Sequence, residues 1–198
     1  MSAGSKGGRG LPPALDPAWA AAVRLVVFDV DGVLTDGGIY VRPGPDDGEP
    51  VELKRFDIVD GLGIKMLMTA GLEVAFVSGR VSGATAQRAK ELGVRECHQD
   101  PGARKVPVIA GLLERMGLTW ADVALLGDDL PDLPALRRVG LPAAVRDAVP
   151  EVVEVARWVG TRPGGRGAAR EFAEAILRAR GVWPDLVDQY CRERNGDA

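Results

Sequence analysis

Four short segments of this 198-residue chain carry side chains that could do chemistry. The first is Asp29-Val30-Asp31-Gly32-Val33, two carboxylates two residues apart at the end of an apolar run. Burying charge costs several kcal/mol unless it is paired or bound to a metal, so stability alone does not account for the pair. A lone Asp after a strand is equally well a turn or capping residue; that explanation weakens for a pair followed by glycine. The second segment is Gly127-Asp128-Asp129-Leu130-Pro131-Asp132. Here an Asp before Leu-Pro makes a good helix N-cap, and Asp132 suits a first helical turn. Capping explains one or two of these carboxylates, but not three beside Asp29 and Asp31, whose mutual repulsion calls for a cation. Few, hard oxygen ligands suit Mg²⁺, which keeps several waters and often bridges to phosphate. The third segment, Ser78-Gly79-Arg80, offers a hydroxyl and a backbone N–H ahead of a helix. That is a phosphate-oxygen site or an ordinary cap and turn. The fourth is Lys105, one of five lysines, at a helix start where the dipole disfavours a cation. It is a functional lysine or a solvated surface one.

Composition narrows the chemistry. One histidine, His98, and 17 Asp against 11 Glu argue against histidine-phosphatase chemistry, His-rich metal sites and a Ser-His-Asp hydrolase. Cys97 and Cys191 cannot build a disulfide framework and fit a reducing cytoplasm. A cysteine-phosphatase loop needs Arg six positions after the cysteine, and Ala103 stands there. Acid, base and nucleophile are therefore expected to be carboxylates. Twenty Arg and five Lys against 28 acidic residues leave a net charge of −3, which gives no footprint for nucleic acid. The longest stretch without a charged residue is the eight from Val106 to Leu113, too short to span a bilayer. No secretory signal is visible.

The elements that must position these groups follow from the pattern. Residues 1–23 are rich in Gly, Pro and Ala and read as a flexible tail with one helical turn near Trp19. Apolar runs at 24–30, 72–78, 94–98, 122–128 and 141–145 read as buried strands. Residues 38–41 and 50–56, separated by PGPDDGE, read as a β-hairpin. Helices are predicted from an Asp60 cap to Ala70, and over 82–92, 103–116, 131–139, 148–156 and 167–180, with a weakly helical polar tail after Pro184. Strands alternating with helices make this an α/β chain with right-handed crossovers about a parallel sheet, whose ligands bind at the strand carboxyl ends.

DVDGVLTDG (29–37), VSGR (77–80), Lys105 and GDDLPD (127–132), in that order, resemble the motifs of haloacid dehalogenase (HAD) superfamily phosphatases. The hairpin, DGLGIK (60–65) and GGRGAARE (164–171) narrow the resemblance, over about 24–180, to the 3-deoxy-D-manno-octulosonate 8-phosphate (KDO 8-phosphate) phosphatase family. The resemblance implies a three-layer Rossmann-like fold with a hairpin insertion at about 37–57 and no cap domain. Its phosphatase domain would span 24–181, with a C-terminal tail at 182–198. It implies Asp29 as nucleophile, Asp31 as general acid and base, and Mg²⁺ held by the Asp29 carboxylate, the Asp31 carbonyl and Asp128. Asp129 and Asp132 would orient the metal ligands and Lys105; Ser78 and Lys105 would neutralise the phosphoryl oxygens. Gly79, Arg80, Arg88, Arg166 and Arg170 are its candidates for binding a sugar-acid phosphate. It further implies a cytoplasmic homotetramer that serves lipopolysaccharide biosynthesis, with hairpins gathered centrally. Val59, where the family often has Arg, and a 99–105 segment one residue longer than usual depart from the pattern. They keep open another ulosonic or nonulosonic acid phosphate, such as a sialic-acid-type 9-phosphate. A receiver-like phosphoacceptor domain, from a different class, would need an acidic acceptor where Cys97-His98-Gln99 stand.

Overall fold

A computed structural model describes residues 10–45, 48 and 50–195. Its strands are β1 (Leu25–Phe28), β2 (Tyr40–Arg42), β3 (Val51–Leu53), β4 (Glu73–Ser78), β5 (Glu96–Gln99), β6 (Val123–Gly127), β7 (Leu141–Ala144) and β8 (Trp158–Val159). Every residue of β1 and β6 is buried, because both faces of the sheet are covered. Period-two alternation divides their side chains between two cores. Val26, Phe28, Ala124 and Leu126 enter one, and Leu25, Val27, Val123 and Leu125 the other. The sheet runs β5-β4-β1-β6-β7-β8, all parallel, with β2 and β3 forming a separate antiparallel hairpin.

Helices α1 (Pro17–Ala22), α2 (Ile58–Thr69), α3 (Gly83–Leu92), α7 (Ala168–Ala179) and α8 (Trp183–Asn195) pack on the first face. Helices α4 (Lys105–Met116), α5 (Leu133–Leu136) and α6 (Pro150–Val155) pack on the second. This is the expected three-layer α/β architecture. Among the described residues the connection from β1 to β4 carries the hairpin and α2, with no cap-sized insertion, and no helix is long and apolar enough to cross a membrane.

Four expectations need correction. The stretch assigned to a flexible tail is ordered from Gly10: Asp16 caps α1, and Leu15, Ala20 and Val23 are buried in the core. The Trp158 indole also donates to the Pro13 carbonyl at 3.1 Å, so the boundary at Arg24 cuts through packed chain. Residues 1–9 lie outside the described residues, as do 46, 47 and 49 of the expected hairpin turn. Second, the polar C-terminus is a docked helix whose Trp183 lies under the guanidiniums of Arg170 and Arg178, at 4.9 and 5.5 Å from the ring centre. Third, α2 is capped by Asp57, which accepts from Val59 N at 3.0 Å; Asp60 is buried and does something else. Fourth, the helix expected from Pro131 is a 3₁₀ turn at Leu130–Asp132 followed by the four residues of α5.

Candidate active site

Strand order changes direction beside β1: the chain runs outward through β4 and β5, then returns to lay β6 on the other side. Such a switch leaves a crevice at the strand carboxyl ends, and Asp29 and Asp128 are the residues that follow β1 and β6. A cavity of about 240 Å³ opens there, lined by Asp29, Asp31, Lys105, Asp128, Asp129 and Asp132, with Gly79 and Arg80 at its side. Ser78 sits just beneath, its hydroxyl 3.3 Å from Asp31 Oδ2. The structure thus brings together the acidic pair, the hydroxyl, the lysine and the second acidic cluster.

Lys105 is buried, and its Nζ bonds both Asp29 Oδ1 and Asp132 Oδ1. Asp132 uses its second oxygen to accept from Asp128 N at 3.0 Å and Asp129 N at 3.5 Å, which fixes the turn carrying Asp128. Asp129 caps that turn, accepting from Leu130 N at 2.7 Å. Carboxylate oxygens of Asp29, Asp128 and Asp132 all lie within 4.8 Å of one another. Three carboxylates share one ammonium, and the imbalance is visible in their protonation. Burial lifts the Asp29 carboxyl to about 6 although Lys105 opposes it. Asp128 is pushed up to about 9 by burial and by the charges of Asp29 and Asp132. Burial works against the Lys105 cation, but the two carboxylates outweigh it and hold the ammonium well above its ordinary range. A divalent cation reverses this local logic, and hard carboxylate oxygens are its natural donors. The residues present therefore fit Mg²⁺, with Asp29 and Asp128 as side-chain ligands. Gly32 adopts φ +95°, and any Cβ there would collide with the Asp128 carboxylate, so glycine is what lets the two acidic segments meet.

Asp31 turns away from the carboxylate cluster. Its Oδ1 pairs with Lys54 Nζ, from the residue after β3, and its Oδ2 receives Ser78 Oγ. Arg80 N donates to Ser78 Oγ at 3.1 Å, and the Arg80 guanidinium bonds Glu52 Oε2 at 2.6 Å. Sequence reasoning missed Lys54 and Glu52. The one available signal was their i, i+2 spacing, which puts both on one face of the hairpin, and that pattern reads equally well as a solvated face.

Three proposed substrate-binding arginines are not brought to the cavity. Arg88 bonds the Asp57 carbonyl at 3.1 Å and Glu91 at 2.9 Å. Arg170 stacks on Trp183 and reaches Glu174 at 3.4 Å, while exposed Arg166 does not line the cavity. The glycine-rich run works instead through its backbone. Gly165 N donates to Val33 O at 2.9 Å, and a side chain on Gly164 or Gly165 would strike the backbone of Gly32, Thr35 or Asp36. Asp60 holds this run by accepting from Gly167 N at 3.1 Å and Arg170 N at 2.8 Å.

A family model for haloacid dehalogenase-like hydrolases matches residues 98–170. The 3-deoxy-D-manno-octulosonate 8-phosphate phosphatase KdsC of Escherichia coli K12 is 39% identical over 172 residues, covering 87% of this chain and 88% of that protein. The chain belongs to the KDO 8-phosphate phosphatase family. Solved structures of this family agree with the fold. A probable YrbI family phosphatase from Pseudomonas syringae is 45% identical with a TM-score of 0.81, covering 88% of this chain and 96% of that one. The KDO 8-phosphate phosphatase of Moraxella catarrhalis, solved with magnesium, phosphate and KDO, is 34% identical, also with a TM-score of 0.81, over 88% and 97% of the two chains.

Proposed function

We propose that this chain is a Mg²⁺-dependent phosphatase that hydrolyses 3-deoxy-D-manno-octulosonate 8-phosphate to KDO and phosphate through an aspartyl-phosphate. The observation that carries the reading is the placement of Asp29 and Asp31 in one cavity with opposite environments: Asp29 on Lys105 among carboxylates, Asp31 on Lys54 and Ser78.

Asp29, held by the Lys105 ammonium, attacks phosphorus as the carboxylate. As its oxygen bonds to phosphorus, the ester P–O bond breaks and Asp31 gives its proton to the departing sugar oxygen. Asp31, now a carboxylate, takes a proton from the water that attacks phosphorus next. The P–O bond to Asp29 then breaks, releasing phosphate and regenerating both side chains. Lys105 and the backbone N–H of Gly79 neutralise equatorial oxygens as charge spreads, joined by the Ser78 hydroxyl when it exchanges its hydrogen bond to Asp31 for a phosphoryl oxygen. Asp132 keeps Lys105 and the Asp128 turn in place. Asp29, the Asp31 carbonyl and Asp128 would hold Mg²⁺, which supplies Lewis-acid stabilisation of the phosphoryl group. Arg80 is the guanidinium at the cavity available to a substrate carboxylate.

The hairpin supports a second element of the reading, a homotetramer. Ile39, Tyr40, Val41 and Leu53 are all about half exposed or more, apolar side chains on both faces of the hairpin that gathering hairpins would cover. The free thiols Cys97 and Cys191 suit a reducing cytoplasm. The catalytic unit takes in α1 and α8 along with residues 24–181, since both helices pack on the same core.

A panel of sugar-acid phosphates ranked by kcat/KM, with and without Mg²⁺, tests the reading. KDO 8-phosphate is expected to rank first and to require the metal. A nine-carbon acid 9-phosphate ranking first would replace the substrate, and stoichiometric phosphorylation without multiple turnover would favour the receiver-like alternative.

A further inference from the structure

The hairpin has two faces. Leu53 points outward and is half exposed, whereas its neighbours Glu52 and Lys54 point the other way, into the site. The Lys54 side chain is only 2% exposed, and an ammonium so buried is costly without acceptors. Among the described residues its carboxylate neighbours are Asp31 and, at 3.7 Å, Glu52 Oε1. A lysine whose task was to fasten the hairpin could end in solvent or on any surface carboxylate. This one ends on the oxygen of Asp31 that Ser78 leaves free, so the two oxygens of that carboxylate are held from opposite sides by residues of different elements.

We propose that Lys54 is a positioning residue: from the hairpin it holds the Asp31 carboxyl in the orientation that delivers a proton to the leaving oxygen and later receives one from water. Glu52 aligns Lys54 in turn, while its other oxygen holds Arg80. The insertion thereby completes the catalytic apparatus of its own chain. The proposal rests on the assignment of Asp31 as acid and base.

The test compares wild type, Lys54→Met and Lys54→Arg on two esters: p-nitrophenyl phosphate, whose leaving group departs without a proton, and the sugar-acid phosphate that wild type turns over fastest. Lys54→Met keeps the stem that fills the hairpin's inner face, and thermal melts with Mg²⁺ confirm that each variant is folded. Because kcat/KM reports the steps up to leaving-group departure, Lys54→Met is expected to lower it about 100-fold for the sugar ester and little for the aryl ester. Slowed water activation is expected to give a stoichiometric burst of p-nitrophenolate, with one phosphate added to the intact mass. Lys54→Arg, which keeps the cation, recovers most of the difference. Equal losses on both esters without a burst would overturn the proposal and leave Lys54 a structural tether. Wild type inactive on both esters would instead overturn the phosphatase reading itself.

Discussion

Asp29 and Asp31 are two residues apart and meet different cations, Lys105 at the start of α4 and Lys54 just after β3. In the proposed mechanism that separation would let one carboxylate act as nucleophile while the other exchanges protons. Asp29→Asn is expected to fold normally and lose at least about 10⁴-fold in kcat, since an amide cannot form the aspartyl-phosphate. p-Nitrophenyl phosphate turnover with Mg²⁺ checks this, and retained activity would remove the assignment. Asp31→Asn should lose most activity yet still accept phosphate from the aryl ester, so intact-mass spectrometry is expected to find phosphoenzyme. The chemistry-bearing Asp, Ser and Lys positions were legible in the sequence because each sits at a strand or helix end, where residue type and location constrain each other. The arginines were not: Arg88 and Arg170 answer to Glu91, Glu174 and Trp183, partners whose proximity depends on how helices pack.

At the scale of elements, the hairpin carries the molecule's least expected work. Its strands were readable from alternation, but alternation cannot tell which face meets solvent, a neighbouring chain or the cavity. With Val41 62% exposed and Ile39 56% exposed, Val41→Lys is expected to convert the proposed tetramer into smaller species at micromolar concentration. Sedimentation of the unaltered chain as a monomer would remove the oligomer altogether. The cap of α2 shows a similar limit. The sequence points to Asp60 as the N-cap; Asp57 takes that place, and Asp60 instead serves Gly167 and Arg170 at the start of α7, more than a hundred residues later. Helical turns were expected near Trp19 and after Pro184, but their docking was not, because polar or Gly/Pro-rich flanks hide the few anchors, Leu15, Ala20, Trp183 and Leu186.

For the whole molecule, the buried acids set how stability responds to pH. Asp29 and Asp60 are raised from an ordinary 3.8 to about 6, and Asp128 to about 9, burial being the largest cause in each. Groups with raised carboxyl values bind protons more tightly folded than unfolded, so their contribution favours the fold in acid. It is withdrawn as pH climbs from about 4 through 6, and for Asp128 on towards 9. Metal-free protein is therefore expected to lose melting temperature across that range on their account. Mg²⁺ at a hundred times its dissociation constant should restore about 2.7 kcal/mol at pH 8, or roughly 5–10 °C, and much less at pH 5, where protons already occupy the site. Thermal melts with Mg²⁺ or EDTA at each pH check this; a shift independent of pH would mean that the ion binds elsewhere.

The position of β1 in the sheet has a consequence in time. The strand that ends in Asp29 finds no partner nearby in sequence: Leu25 pairs with Glu73 on one side and Val123 on the other. Long loops must close before either pairing is rewarded, so β1 is enclosed only after chain well beyond it has arrived. A nascent chain that has reached residue 100 carries Asp29 and Asp31 but neither Lys105 nor Asp128. Such a fragment holds the acidic pair without the ammonium and the second acidic cluster, so the cavity cannot assemble before both have been made.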